Sequence, residues 1–155
     1  MKHKVHVLAA ILLAALLAAA GASAETLTCI VADNQYVNVR KQASSTAATW
    51  GSLHAGDTIE VNPAETQNGF FKTTFKEHTA YVSVRYFEVE VNREYVVAAN
   101  GRVRTRKSPG GEAVGFIKPD ETAYVLAWRY DGDGGKWARC TGGRYISAEY
   151  LTLTE

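Results

Sequence analysis

The sequence has few of the residues that build catalytic centres. Its 155 residues include two cysteines, four histidines, one methionine and three prolines. His54 and His78 lie in predicted turns, where a solvated histidine is more common than a catalytic base. No nucleophile, base and orienting group can be named together, as a hydrolase would require. The composition therefore predicts a protein that is not an enzyme.

Acidic clusters that would hold a metal or cleave a glycosidic bond are also missing. Asp131 and Asp133 share one loop without an opposing acidic partner, unlike the paired carboxylates of a glycosidase. The loop starts like a calcium loop at Asp131, but Gly142 stands at the twelfth position, where a bidentate Glu is needed. We expect no metal and no cofactor, and we interpret residues 130–135 as a flexible hairpin turn.

A strong excess of charge of one sign is absent as well. Lys plus Arg number 17 and Asp plus Glu number 16, for a formal net charge of +1. A near-neutral chain has no strong electrostatic attraction to nucleic acid or to anionic membranes. Beyond the N-terminal segment no apolar run is long enough to span a bilayer, so we expect no nucleic-acid partner and no stable membrane insertion.

The N-terminal segment has the three-part layout of a secretory signal peptide. Lys2 and Lys4 precede an apolar run over residues 7–20, and the small residues 22–24 form a cleavage site. The run is shorter than the ~20 residues that a spanning helix needs, so we expect cleavage after Ala24 rather than anchoring. The mature chain is predicted to be exported to the periplasm, the cell wall or the extracellular space.

The rest of the chain repeats itself with a shift of 64 residues. The shift superimposes identical residues in turns, strands and aromatic positions: Val39 on Val103, Arg40 on Arg104, Gly51 on Gly115, Thr58 on Thr122, Tyr81 on Tyr145, Ser83 on Ser147 and Tyr86 on Tyr150. Chance seldom keeps so many positions in one register. We therefore predict a signal peptide over residues 1–24 followed by two copies of one unit, residues 25–91 and 92–155.

Each unit reads as a series of short strands. β-Branched and aromatic residues fill 58–61 and 80–84, and turn-forming residues separate the runs at Gly56, 68–69, 109–111 and 142–143. No apolar period of 3.6 residues stands out beyond the signal peptide, so helix should be confined to single turns. About 60 residues in five or six short strands favour a small, strongly bent barrel.

The order of these motifs resembles the bacterial SH3 (SH3b) domain family. The first unit carries NVR (38–40), WGSLHAGD (50–57), NGFFK (68–72) and AYVSVRYF (80–87), and the second carries RVR (102–104), VGFI (114–117), GKWAR (135–139) and RYIS (144–147). Arg102 stands where Asn is usual. The resemblance covers essentially the whole mature chain and implies an all-β protein of two tandem small SH3-like β-barrels, the kind of domain that often accompanies NlpC/P60 peptidases.

Aromatic residues offer one candidate binding surface. Phe70 and its neighbour Phe71 point to opposite faces of one strand, so at least one can reach solvent. Trp128, Tyr130 and Trp137 flank the acidic loop and would form a stacking platform for a peptide or sugar. For each ring, packing in the core of a small barrel is the alternative.

Basic residues offer a second candidate surface. Arg102, Arg104 and Arg106 alternate along an extended segment and would lie on one face. They would give the second unit a basic edge that meets carboxylates. A solvated edge that discourages strand pairing is the alternative explanation.

The two cysteines predict a disulfide. An exported chain with two cysteines favours a bridge, and Cys29–Cys140 would join the first strand of one unit to a middle strand of the other. Such a bridge would fix the relative orientation of the units. The alternative is that both are small buried apolar residues.

Two functions follow from this pattern. We expect an exported, non-catalytic binding module that recognises peptidoglycan peptides or another envelope component, as the SH3b resemblance implies. The alternative is a protein–protein interaction role, in which the double barrel docks on a secreted or periplasmic enzyme as an inhibitor or immunity-type protein. SH3-like barrels host both uses, so the fold does not choose between them.

Overall fold

A computed structural model describes residues 23–154, and strands are its main regular structure. The strands are β1 (Glu25–Cys29), β2 (Tyr36–Arg40), β3 (Thr49–His54), β4 (Thr58–Val61), β5 (Phe70–Phe75), β6 (His78–Ser83), β7 (Phe87–Val97), β8 (Val103–Arg106), β9 (Ala113–Ile117), β10 (Thr122–Tyr130), β11 (Lys136–Cys140), β12 (Tyr145–Ser147) and β13 (Leu151–Leu153). The predicted signal peptide stays a prediction, because residues 1–22 lie outside the described range.

Helix is limited to single 3-10 turns. Within residues 23–154 these are Pro63–Glu65, Val84–Tyr86, Thr141–Gly143 and Ala148–Tyr150, which confirms the prediction from the missing 3.6-residue period. In this part of the chain no helix has the length and apolar character needed to cross a membrane.

The strands form two antiparallel sheets. The larger sheet has the order β4-β1-β7-β10-β11-β12-β8-β9, with β13 pairing on β7, and the smaller has the order β3-β2-β6-β5. The all-β class is therefore confirmed. Neither sheet closes on itself, so the arrangement as two barrels stays a prediction.

The long strand β7 belongs to both repeats. Its first residues pair with β1, where Cys29 lies opposite Phe87, and its later residues pair with β10 and β13. The strand thus ends the first repeat and begins the second. The predicted boundary between residues 91 and 92 falls inside it, and the division into 25–91 and 92–155 stays a prediction.

Buried side chains form two clusters that follow the two repeats. The first cluster is built around Phe71, Phe87 and Leu27, and the second around Val97, Val125 and Ile146. Alternating burial along β2, β4 and the first residues of β10 produces these clusters, because successive residues of a strand face opposite sides. The first cluster also contains Tyr130, which comes from the second repeat.

Strand pairing corrects the alignment of the two repeats. In the first repeat Val39 lies opposite Gly51, whereas in the second Thr105 lies opposite Gly115. A shift of 64 residues therefore superimposes β3 on β9, but β2 superimposes on β8 only when the shift is two residues longer. The structural counterpart of Val39 is Thr105, not Val103. The loop over 107–112 absorbs the difference, since it is shorter than the loop over 41–48.

An equivalent hydrogen bond occurs within each repeat and supports this corrected alignment. Arg40 donates from Nη1 to the carbonyl of Ala47 at 2.8 Å. Arg106 donates in the same way to the carbonyl of Gly111 at 2.7 Å. The NVR motif of the first repeat therefore corresponds to residues 104–106 rather than to 102–104, and its arginine closes the loop that follows.

The predicted disulfide is absent, which corrects the expectation from cysteine count. Cys29 and Cys140 are both free and buried, one in each cluster. The path from β1 through β7 and β10 to β11 crosses three strand spacings of about 4.8 Å each. A disulfide needs Cα atoms within about 7 Å of each other, so this placement separates the two thiols.

Thiol titration should show two free cysteines. We expect unfolded protein to react with two equivalents of Ellman's reagent per chain whether or not it was first reduced. Folded protein should react slowly, because both thiols are buried and burial raises the pKa of Cys140 to about 11. Unreduced, unfolded protein without reactive thiol would show instead that the bridge forms.

Charged contacts hold the two repeats together without a bridge. Glu88 of the first repeat binds Arg139 through two hydrogen bonds of 3.0 and 3.3 Å and Arg129 at 3.4 Å. Glu25 accepts hydrogen bonds from Lys136 at 3.1 Å and from the Tyr130 hydroxyl. These pairs are partly buried, where charge-assisted hydrogen bonds are worth more than at the surface.

Candidate functional site

Each repeat carries a surface groove, and the two grooves lie at equivalent positions. We call them groove 1, with a volume of about 210 Å³, and groove 2, with about 570 Å³. Groove 1 contains Tyr36, Asn38, Arg40, Phe70, Ser83 and Tyr86. Groove 2 contains Arg102, Arg104, Arg106, Trp137, Ser147 and Tyr150. In that order the residues of the two grooves are structural counterparts.

Strand register establishes this equivalence. Phe70 lies opposite Ser83 where β5 pairs with β6, and Trp137 lies opposite Ser147 where β11 pairs with β12. The tyrosine of each groove ends the 3-10 turn that follows, over 84–86 and 148–150. One strand, one hairpin and one turn therefore build each groove from the same parts of the repeat.

The chemistry of the two grooves differs at their first two positions. Groove 1 has Tyr36, which is 62% exposed, and Asn38. Groove 2 has Arg102 and Arg104, both exposed. The guanidinium of Arg102 lies over the Phe116 ring at 5.1 Å. Because arginine binds carboxylates with paired N–H groups, the arginines of groove 2 offer contacts to an acidic ligand. Glu149 also lines groove 2, and Arg85 lines groove 1.

Trp137 is held in a fixed orientation at the floor of groove 2. Its Nε1 donates to Asp131 Oδ2 at 2.8 Å, and the Arg106 guanidinium lies 5.8 Å from the ring centre. Asp131 Oδ1 in turn accepts from the backbone nitrogens of Asp133 and Gly135 at 3.0 and 2.8 Å. The acidic loop, predicted as a flexible turn, is thus tied together by one carboxylate and supports the indole.

Arg104 and Arg106, both predicted binding residues, take different positions in groove 2. Arg106 is half-buried, and its Nη1 donates to the carbonyl oxygen of Gly111. Its hydrogen bond is therefore made within the protein. Arg104 is exposed, and its side chain forms no hydrogen bond or ion pair with any residue in the 23–154 range. The guanidinium of Arg104 is therefore the one of the two that is free to bind a ligand.

The predicted three-ring platform does not form. Trp137 lies opposite Arg129 in the β10–β11 ladder, so it shares the face of Arg129 and not that of Trp128 and Tyr130. Trp128 packs edge-on against Tyr95 at 5.3 Å beside the second cluster. Tyr130 is 3% exposed and belongs to the first cluster, which corrects its assignment as a binding residue.

Burial and hydrogen bonding also perturb the acidity of Tyr130. Burial raises the pKa of its hydroxyl well above the ordinary value, and the hydrogen bond to the charged Glu25 carboxylate raises it further. The hydroxyl thus stays protonated and serves as a donor to Glu25. Its role is to join the repeats rather than to contact a ligand.

Both grooves contain tyrosines that were not predicted as binding residues from the sequence. Tyr86 and Tyr150 are 36% and 37% exposed and were recognised only as matching positions of the repeat. An aromatic residue at the same exposed turn of both copies was the available signal for a binding surface. Tyr36 had no such signal, because Arg102 is its counterpart.

The cysteines and histidines show no catalytic arrangement in the described range. Burial raises the pKa of the Cys29 and Cys140 thiols, whereas a nucleophilic cysteine needs a lowered pKa. His54 lies at the surface 3.9 Å from Asp57, and His78 stacks on Trp50 at 4.0 Å. Among residues 23–154 no group of three or more His, Cys, Asp or Glu side chains converges as metal ligands do.

Comparison with known proteins gives only distant structural likenesses. No family model matches the chain, and no curated protein matches it. Similar solved structures include NlpC2 and NlpC1 from Trichomonas vaginalis, at 12% and 16% identity and a TM-score of 0.37 each. They match 86% and 95% of this chain but 49% and 51% of their own chains, so this chain spans about half their length.

A third similar solved structure comes from an endolysin. The endolysin LysPBC5 CBD is 18% identical, with a TM-score of 0.32, and the match covers 83% of this chain and 93% of that one. Likenesses at this level do not identify a function.

Proposed function

We propose that the protein is an exported, non-catalytic binding module in which groove 2 recognises an extended ligand with free carboxylates, such as the peptides of peptidoglycan. The observation that carries the proposal is the unpaired, exposed guanidinium of Arg104 beside the fixed ring of Trp137. In this proposal residues 25–91 and 92–155 form two SH3-like units, and the second unit binds.

The groove offers a ligand two kinds of contact. Arg104 supplies N–H donors in a planar fork, the geometry that matches a carboxylate. Trp137 and Tyr150 supply flat apolar surface on which the backbone or the apolar part of a peptide packs. Because Asp131 already holds the indole in place, little side-chain entropy is lost when a ligand binds.

The cysteine chemistry supports the non-catalytic part of the proposal. Both thiols are buried and have raised pKa values, so neither is a ready nucleophile. Binding, rather than bond cleavage, is what the exposed arginine and aromatic rings of groove 2 are suited to do.

Arg104→Ala should weaken binding to purified peptidoglycan sacculi about tenfold or more, because one charge-assisted hydrogen-bonding group contributes roughly 1.5–3 kcal/mol. The measurement is co-sedimentation of the mature chain with protein-free sacculi at low and moderate salt. Lys107→Ala is the matched control, since it removes one positive charge from an exposed residue outside the groove. The control should bind like the wild type at moderate salt.

Two results would contradict this proposal. Equal losses in Arg104→Ala and Lys107→Ala would mean that net charge, and not the groove, governs sedimentation. Absence of saturable binding by the wild type would exclude recognition of the sacculi tested.

A second candidate function is docking on an envelope or secreted protein, as an inhibitor or immunity-type protein does. The edge strand β9 favours it, because Val114 and Phe116 are 48% and 55% exposed on a strand that ends the larger sheet. Exposed apolar residues on a sheet edge are a common place for a partner chain to dock. Val114→Lys, at an exposed residue that borders neither groove, should then abolish binding to the protein partner and leave sacculus binding unchanged.

A further inference from the structure

A separate cavity of about 410 Å³ opens in the second repeat. Its apolar wall includes Ile117, Ala123 and Ile146, and its polar groups include Thr105 and Arg144. It shares no lining residue with groove 2. The cavity is therefore a second place where a ligand can bind, independent of the proposed function of groove 2.

The first repeat has an equivalent cavity of about 460 Å³, which Phe75 borders. There the Phe75 ring lies over Gly51, with ring atoms 3.0 and 3.1 Å from the point that a glycine Cβ would occupy. In the second repeat the hairpin between β11 and β12 is cut short and supplies no such ring. Above the equivalent Gly115 lie Thr105 Oγ1 at 3.2 Å and Arg144 Nη1 at 3.5 Å from the same point. Arg144 thus lies where the Phe75 ring lies in the first repeat, and Thr105 occupies the position of the apolar Val39.

The hydroxyl of Thr105 has no hydrogen-bond partner. The residue is 3% exposed, and its Oγ1 is buried and unpaired among residues 23–154. The structural counterpart is Val39, which is fully buried and apolar. Because a buried unpaired hydroxyl destabilises a fold and the repeat accepts valine here, packing alone does not require the hydroxyl.

Arg144 is the second unpaired donor. Its side chain is exposed and forms no ion pair with any residue from 23 to 154. Glu121 also borders the cavity, but its carboxylate accepts a hydrogen bond from the backbone nitrogen of Lys118 at 2.9 Å. The guanidinium therefore faces the cavity mouth with its N–H groups available.

We infer that this cavity binds a small carboxylate with an apolar body, such as a free organic acid or the C-terminal residue of a peptide. The carboxylate accepts hydrogen bonds from Arg144 and from the Thr105 hydroxyl, and the apolar body packs against Ile117 and Ile146. A carboxylate is the acceptor that matches a guanidinium fork. Binding would satisfy the one buried hydroxyl in the described range that lacks a partner.

The test uses 3-phenylpropionate, its uncharged amide and the peptide Gly-Gly-Gly-Phe with a free C-terminus. Amide shifts of Thr105, Gly115 and Ile146 in ¹H–¹⁵N NMR spectra report binding to the mature chain. We expect the acid to bind at least tenfold more tightly than the amide. Tighter binding of the peptide would assign the site to protein C-termini, and binding of the free acid alone would assign it to small organic acids.

Two variants and one control make the inference falsifiable. Arg144→Ala should weaken binding of 3-phenylpropionate about tenfold, and Lys107→Ala should leave it unchanged. The groove 2 variant Arg104→Ala should also leave it unchanged, which separates this inference from the proposed function. Equal binding of acid and amide, or no shift at these three amides at millimolar concentration, would overturn it.

Thr105→Val gives an independent readout. It should weaken binding of the acid while raising Tm by roughly 4 °C, since an unpaired hydroxyl is removed without loss of packing. Thr73→Val is the matched control, because the Thr73 hydroxyl donates to the carbonyl of Glu60 at 2.9 Å; it should lower Tm and leave acid binding intact. A lower Tm for Thr105→Val would show that the hydroxyl has a partner within the fold.

Discussion

Replacing Tyr130 by alanine should destabilise the protein by about 3–5 kcal/mol, the usual cost of deleting a buried aromatic ring. The ring is 3% exposed and packs edge-on against Phe71 at 5.4 Å. Its hydroxyl donates to Glu25. The substitution therefore opens a cavity in the first cluster and removes a contact that the second repeat makes with the first. Urea denaturation monitored by fluorescence measures the change.

Two further variants separate the causes. Tyr130→Phe keeps the ring and should cost about 1.5–3 kcal/mol, the contribution of a hydrogen bond to a charged group. Tyr124→Ala is the matched control, since Tyr124 lies on the same strand but is 44% exposed, and it should cost about 1 kcal/mol or less. A similar loss for Tyr124→Ala and Tyr130→Ala would show that the Tyr130 ring is not part of a core.

Gly134→Ala should cost about 2–4 kcal/mol and loosen the contact between the repeats. Gly134 has φ of +85°, and an added Cβ would lie 2.1 Å from the carbonyl oxygen of Pro63 in the first repeat. That atom is backbone, so the acidic loop must move away from the first repeat. The move would also break a nearby hydrogen bond, in which Gly69 N donates to Gly132 O at 3.1 Å.

Gly142→Ala is the control for backbone strain. Gly142 has φ of +80°, but nothing lies within 4 Å of an added Cβ. Its substitution should cost only the left-handed backbone penalty of about 1–2 kcal/mol. If the two variants lose the same stability in thermal or urea unfolding, the loop does not pack on the first repeat as described. Faster hydrogen exchange at Gly69 in Gly134→Ala alone would locate the damage at the contact.

The strand-rich character of the fold and its lack of long helices were predicted from the sequence. The β-branched residues of 58–61 predict a strand, and the structure has β4 there with Ile59 and Val61 buried. The limits on helix followed from the absent 3.6-residue period. The repeat was also readable, but its register in β8 was not, because a shift of two residues keeps the alternation of faces and only the partner strand β9 reveals it.

The aromatic and basic candidate residues were predicted as two separate surfaces, and their binding role stays a prediction. The structure places Arg104, Arg106 and Trp137 in one groove and Phe70 in its counterpart. Tyr130 was misassigned, since an aromatic residue beside a polar loop has the same sequence signature whether its ring faces solvent or the core. The unpaired hydroxyl of Thr105 had no signature, because threonine is a common strand residue.

The sequence by itself determined the all-β class, the single-turn helices and the duplication, because these depend on residue periodicity and on turn-forming residues close together in the chain. Tertiary structure alone decided which distant residues meet. It separated Cys29 from Cys140, brought Tyr130 into the first cluster and left Thr105 without a partner. The physical reason is that these contacts depend on how strands far apart in sequence pair and stack, and many pairings satisfy the same alternating pattern.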